Sequence, residues 1–104
     1  MSLQIIKQFN EHTIQWEVEL VGDADIQTSG RLKDELNAML DENESNMQLN
    51  CERLTYIDST GLGVLIGILK RVKTKEKNIY IMNAQSNMKK LLSITGLDKI
   101  FVIV

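Results

Sequence analysis

Tyr56-Ile57-Asp58-Ser59-Thr60-Gly61-Leu62-Gly63 sets an apolar, β-prone pair directly against a hydroxyl pair and two glycines. From Leu62 to Val72 the residues are apolar on nearly every side, which predicts a helix buried over most of its surface. Lys70, Arg71, Lys73 and Lys75 then suit its negative C-terminal dipole. A strand that runs without a linker into a buried helix is the unit of an α/β fold with parallel strands. Ser59 falls at or beside the helix N-cap, where unpaired N–H groups and the positive dipole end accept an oxygen or an anion. Glycine inside a helix costs about 0.8–1 kcal/mol relative to alanine, so Gly61, Gly63 and Gly67 predict that something approaches this helix closely. Packing against the sheet is the expected reason for Gly67, whereas Gly61 can serve both packing and the access of a partner.

Upstream, Ile14, Trp16, Val18 and Leu20 alternate with Gln15, Glu17 and Glu19, the period of a half-buried strand. Leu3 to Phe9 is a weaker strand, joined to it as a hairpin through Asn10-Glu11-His12, with His12 a solvated residue at the tip. Leu32, Leu36, Met39 and Leu40 recur at helical spacing, and Thr28 or Ser29 is the candidate N-cap. Met47, Leu49 and Cys51 alternate with Gln48 and Asn50 and lead through a kinked passage to Tyr56 and Ile57, together a third strand. Downstream, Ile79 to Met82 predicts a fourth strand. A third helix follows, with Ser86 as N-cap, Met88, Leu91 and Leu92 on one face, Gly96 as its left-handed end and Leu97 closing the cap. Phe101 to Val104, wholly apolar, reads as a buried last strand. The order is ββαβαβαβ. It predicts an α/β fold with a mixed five-stranded sheet, three or four helices and right-handed parallel crossovers.

Composition narrows the chemistry. The 104 residues suit one domain over 1–104, and neither proline nor a Gly/Ser-rich linker divides them. A formal charge of −2 supplies no positive field for phosphate backbones, so direct nucleic-acid binding is not expected. Cys51 and His12 are the only residues of their types, so one chain cannot assemble a disulfide or a Cys/His zinc site. No metal and no cofactor are expected, and a reducing cytoplasm fits. No stretch reaches the ~18–20 apolar residues of a membrane span, and Met1-Ser2-Leu3 does not begin a signal peptide. A soluble, unprocessed protein without a membrane partner is the expectation.

Two clusters are candidates for chemistry. Phosphorylation of Ser59 would add about 1.5–2 negative charges where a helix N-terminus tolerates them. Asp58 would be repelled, and a partner surface matched to a neutral hydroxyl would be rejected. The second cluster, Val21 to Thr28, carries Asp23 and Asp25, expected as exposed turn acids that share an edge of the fold with Ser59. Enzymatic readings fit less well. As a phosphatase of the haloacid dehalogenase type, the Asp23-x-Asp25 motif has its threonine one residue late in a short chain. A serine hydrolase lacks a placed base, since His12 is a turn residue. A receiver domain built on Asp58 lacks a lysine in Phe101 to Val104. Cys51, inward on a strand, reads as a core side chain rather than a reactive thiol.

Gly22-Asp23-Ala24-Asp25 with Thr28, then Ile57-Asp58-Ser59-Thr60-Gly61-Leu62-Gly63, then Ile94-Thr95-Gly96-Leu97 resemble the STAS domain of bacterial anti-sigma factor antagonists. The resemblance spans almost the whole chain and is strongest in Asp58 to Gly63. It implies a non-enzymatic regulator whose Ser59 is phosphorylated by an anti-sigma factor that is also an ATP-dependent serine kinase. Asp25 matches the acidic residue near that serine, and Asp23, Thr28, Asp58, Thr60, Gly61, Leu62 and Gly63 fall near the partner or its nucleotide. It further implies that the unphosphorylated form binds the anti-sigma factor and frees the sigma factor, and that a PP2C-type phosphatase restores it. The alternative is a STAS scaffold or sensor-linked protein of a larger signalling assembly. The chain departs from the family pattern at Asn50, where an aspartate is usual, at Asp23, where a glutamate is usual, and at Thr28-Ser29-Gly30, which replaces a small residue and proline.

Overall fold

A computed structural model describes residues 2–104; Met1, part of the start cited above, lies outside them. The hairpin forms as β1 (Leu3–Asn10) and β2 (Gln15–Ala24), antiparallel and in continuous register from Leu3 opposite Gly22 to Asn10 opposite Gln15. Then come α1 (Ser29–Glu42), β3 (Asn46–Asn50), β4 (Leu54–Ile57) and α2 (Ser59–Lys73). The chain ends with β5 (Ile79–Met82), α3 (Ser86–Thr95), a 3-10 turn at Leu97–Lys99 and β6 (Val102–Ile103). The sheet order is β1-β2-β3-β5-β6, with only the β1–β2 pair antiparallel and β4 beside the end of β2. This is the mixed α/β sheet that the alternating elements predict.

One face of the sheet is covered. Trp16, Val18 and Leu20 from β2, Met47 and Leu49 from β3, and Ile79 and Ile81 from β5 enter a single apolar cluster. All three helices bury their apolar stripes in it, among them Leu32, Leu36 and Leu40 of α1, Leu65, Ile68 and Val72 of α2, and Met88 and Leu92 of α3. Burying each large aliphatic side chain contributes about 1.5–3 kcal/mol, which is what holds the helices to the sheet. Arg71 ties the ends of α1 and α2 together, donating to Asp41 Oδ1 at 2.8 Å, Glu44 Oε1 at 2.7 Å and Asn37 Oδ1 at 2.9 Å.

Several expectations need correction. The predicted third strand is two strands, because the chain turns at Cys51, whose carbonyl accepts the Leu54 N–H at 3.2 Å. β3 and β4 therefore follow one another along β2, and the register of β2 shifts between Gly22 and Asp23. Gly22 has φ +109, and a Cβ there would lie 2.3 Å from the Ser2 carbonyl oxygen, so that irregularity requires glycine. Ile14 does not lead the second strand inward; it occupies the hairpin turn with φ 54 and is 65% exposed. His12 lies exposed in that turn, as predicted. Ser86 opens α3 as its first helical residue, and Gln85 takes the N-cap position without a side-chain bond. Gly96 ends α3 in the left-handed conformation, φ 74, as predicted. The last strand is not buried throughout. Phe101 is, but β6 pairs only with β5 at the sheet edge, leaving Ile103 partly and Val104 largely exposed.

The glycines of α2 differ in what surrounds them. A Cβ at Gly61 would stand 2.3 Å from the Ala24 carbonyl oxygen, whereas at Gly63 or Gly67 it would meet nothing within 4 Å. Packing therefore accounts for Gly61 and not for Gly67. Gly61→Ala is expected to lower stability by about 1–3 kcal/mol through overpacking. Gly67→Ala is expected to raise it by about 0.5–1 kcal/mol through helix propensity. Urea unfolding midpoints at unchanged slope measure both, and midpoints moving in the same direction would contradict the assignment.

Candidate functional site

Ala24 at the end of β2 is in register with Ile57 at the end of β4, so Asp25 and Asp58 leave the sheet side by side. Asp58 is the N-cap of α2. Its backbone is extended, and its Oδ1 accepts the Gly61 N–H at 2.9 Å. The Asp58 N–H donates to the Ala24 carbonyl at 3.2 Å, and its own carbonyl accepts the Leu62 N–H at 2.9 Å. Without a Cβ at Gly61, the first turn of α2 lies directly on the Ala24 carbonyl. Leu62, 4% exposed, anchors that turn in the core.

Ser59 and Thr60 are thereby turned outward. Both are exposed, and neither side-chain hydroxyl is engaged in a hydrogen bond among the described residues, the capping role being filled by Asp58. Their N–H groups belong to the first helical turn, where no intrahelical acceptor exists. The surface here is a free hydroxyl pair set on the positive end of a 15-residue helix.

The turn after β2 is built differently from the expectation of exposed acids. Asp25 is buried, and its Oδ1 accepts the N–H groups of Gln27 at 2.9 Å and Thr28 at 3.1 Å. Thr28 answers with its hydroxyl, which accepts the Asp25 N–H at 2.9 Å and donates to the Asp23 carbonyl at 2.8 Å. Thr28 stands at the N-cap position of α1, but its side chain serves this turn and makes no cap bond to the helix. Asp23 is half-buried on β2, its carboxylate accepting from Thr55 Oγ1 at 3.3 Å. Asp25 and Thr28 are thus occupied in shaping the wall beside Ser59.

Beside Thr60 lies a feature with no sequence signal. Lys33 and Asn37 of α1 face Thr60, Gly63, Val64, Gly67 and Ile68 of α2 across an open groove of about 480 Å³. Lys33 and Asn37 are four residues apart, hence on one helix face, but only the packing of α1 against α2 brings them to Thr60. Elsewhere, burial pushes the Cys51 thiol up to about 12, so it stays protonated and is a core side chain. The Arg53 guanidinium lowers the carboxyl of Glu19, a pairing on the solvent-facing side of the sheet. No group of three or more His, Cys, Asp or Glu that could hold a metal occurs among the described residues.

The family model described as "Mlab, STAS domain" matches residues 8–104. The chain belongs to the STAS-domain family. Among relatives of this STAS chain, the anti-sigma-B factor antagonist of Staphylococcus epidermidis is 35% identical over 82 residues, 79% of this chain and 76% of that protein. The protein of the same name from Staphylococcus aureus is 34% identical over the same shares of the two chains. In fold, the STAS chain is similar to an anti-sigma factor antagonist from Mycobacterium paratuberculosis, with a TM-score of 0.86 at 19% identity over 98% of this chain and 85% of that one. It is also similar to the Bacillus cell fate determinant SpoIIAA in its phosphorylated form, with a TM-score of 0.75 at 17% identity over 99% of this chain and 91% of that one. No helix among the described residues is long and apolar enough to cross a membrane.

Because the cap is Asp58 and not its neighbour, Asp58→Ala is expected to lower stability by about 1 kcal/mol. Ser59→Ala should stay within about 0.5 kcal/mol of the parent. Denaturant unfolding of the two variants compares them directly, and the reverse ranking would show that Ser59 carries the cap.

Proposed function

We propose that the chain is an anti-sigma factor antagonist switched by phosphorylation of Ser59. The observation that carries this reading is the division of labour in the first turn of α2: Asp58, Gly61 and Leu62 hold it, while the Ser59 hydroxyl is exposed and unengaged. A kinase can reach such an oxygen without unfolding anything. The names of the staphylococcal relatives support antagonism of an anti-sigma factor as the role. In this reading the protein acts by binding, as a regulator in the cytoplasm, and is not itself an enzyme.

In the unphosphorylated state the Ser59 and Thr60 hydroxyls, Gly63 and the groove beside Lys33 form a docking face for the anti-sigma factor, which also acts as the serine kinase. Docking there frees the sigma factor. Asp23, Asp25 and Thr28 shape the adjoining wall. Phosphorylation then brings about 1.5–2 negative charges to a surface that already holds the Asp58 carboxylate. The helix tolerates the anion through its N–H groups and dipole, but a partner matched to a neutral hydroxyl pays for desolvating the dianion and is released. A PP2C-type phosphatase returns the chain to its binding state.

Incubation with the cognate kinase and ATP should add one phosphate by intact mass, lost in Ser59→Ala and kept in Thr60→Ala. Ser59→Asp should weaken binding to that kinase by more than tenfold by calorimetry, about 1.4 kcal/mol or more. Absence of the mass gain, or its survival in Ser59→Ala, would refute the assignment.

A further inference from the structure

The opposite end of α2 carries a second surface that the switch does not use. Ile66, Leu69, Lys70, Lys73 and Thr74 of the last helical turns and Ile100 beyond the 3-10 turn enclose a trough of about 380 Å³. Leu69 is buried at its base, Ile66 is half-buried, and Ile100 is 45% exposed. Neither Lys70 nor Lys73 has a carboxylate within salt-bridge distance among the described residues. Asp41 and Glu44 are taken by Arg71, and Glu76, in the turn just after α2, reaches neither lysine. Lys73 reaches only the neutral side chain of Asn78. Two ammonium groups three residues apart, neither in an ion pair, therefore flank an apolar trough, on a chain whose net charge is −2.

We propose that this trough docks an amphipathic helix of a protein partner, with aliphatic residues along one ridge and carboxylates beside them. The apolar lining takes the ridge, and Lys70 and Lys73 pair with the flanking acids. A helix fits better than an added strand, because β6 offers an edge of only two residues. It also fits better than a bilayer, because a flat surface does not fill a trough and a net charge of −2 gives the chain no overall attraction to anionic lipid. From Ser59, α2 rises about 10 Å to Ile66 and about 21 Å to Lys73. Both distances exceed the screening length of about 8 Å at physiological salt, so a phosphate on Ser59 leaves docking here unchanged. This last feature rests on the reading of Ser59 as the switch; the docking itself does not. The chain would then keep one partner in both phosphorylation states while exchanging another.

The test is an amide chemical-shift titration of the ¹⁵N-labelled chain with a synthetic peptide of about eighteen residues, five helical turns. The peptide carries Leu at i, i+3, i+4 and i+7 and Glu on the flanks. Shifts should centre on Ile66 to Thr74 and Ile100. The double variant Lys70→Glu, Lys73→Glu should keep a dispersed spectrum and lose at least tenfold in affinity, regained with a peptide bearing Lys in place of Glu. Ser59→Asp should bind the acidic peptide within twofold of the parent. No shifts at millimolar peptide, equal binding of both peptides by the parent, or sedimentation with phosphatidylglycerol vesicles that requires Lys70 and Lys73 would each overturn the proposal. A loss of peptide affinity in Ser59→Asp would overturn independence from the switch alone. Failure of the kinase to modify Ser59 would leave the peptide result untouched.

Discussion

The backbone carbonyl of Ala24 is the point on which the site depends. It closes β2, accepts the Asp58 N–H, and occupies the space into which any side chain at position 61 would project. The first turn of α2 is therefore placed by main-chain contact and by the absence of a Cβ, with the Asp58 carboxylate completing the cap. Ser59 and Thr60 have no part in that placement. Their hydroxyls stand on a rigid base to which they contribute nothing, which is the condition for a chemical change at the surface to spare the fold.

The neighbouring wall follows the same economy. A buried carboxylate without partners would be costly, and Asp25 escapes that cost through two N–H groups of its own turn while Thr28 locks the turn from the other side. So engaged, Asp25 is a shaping residue and a poor candidate for a nucleophile or general base. Cys51, fully enclosed and protonated, offers no alternative nucleophile.

Much of this was legible in the residues themselves. The alternation in Gln15 to Leu20 and the apolar spacing of Leu32 to Leu40 predict β2 and α1 because period 2 and period 3.6 are local properties. Ser59 at the start of a buried helix followed from Asp58 to Gly63 in the same way. What escaped was set by pairing across the chain. The break at Cys51 to Arg53 depends on the irregularity at Gly22, and an apolar run such as Phe101 to Val104 looks alike in a central strand and at an edge. Gly61 and Gly67 carry the same propensity cost, yet only the position of Ala24 distinguishes the one the fold requires. The groove that joins Lys33 and Asn37 to Thr60 arises from two helices distant in sequence, and no local pattern marks it.

The most direct measurement is native-state amide hydrogen exchange on the chain carrying phosphate at Ser59, compared with the unmodified chain. The account predicts changes confined to the first turn of α2 and the Asp25 to Thr28 turn, with protection of β2, β3 and β5 unaltered. Loss of protection across those strands would mean that the phosphate acts by loosening the fold, and would contradict a switch that works by altering the surface alone.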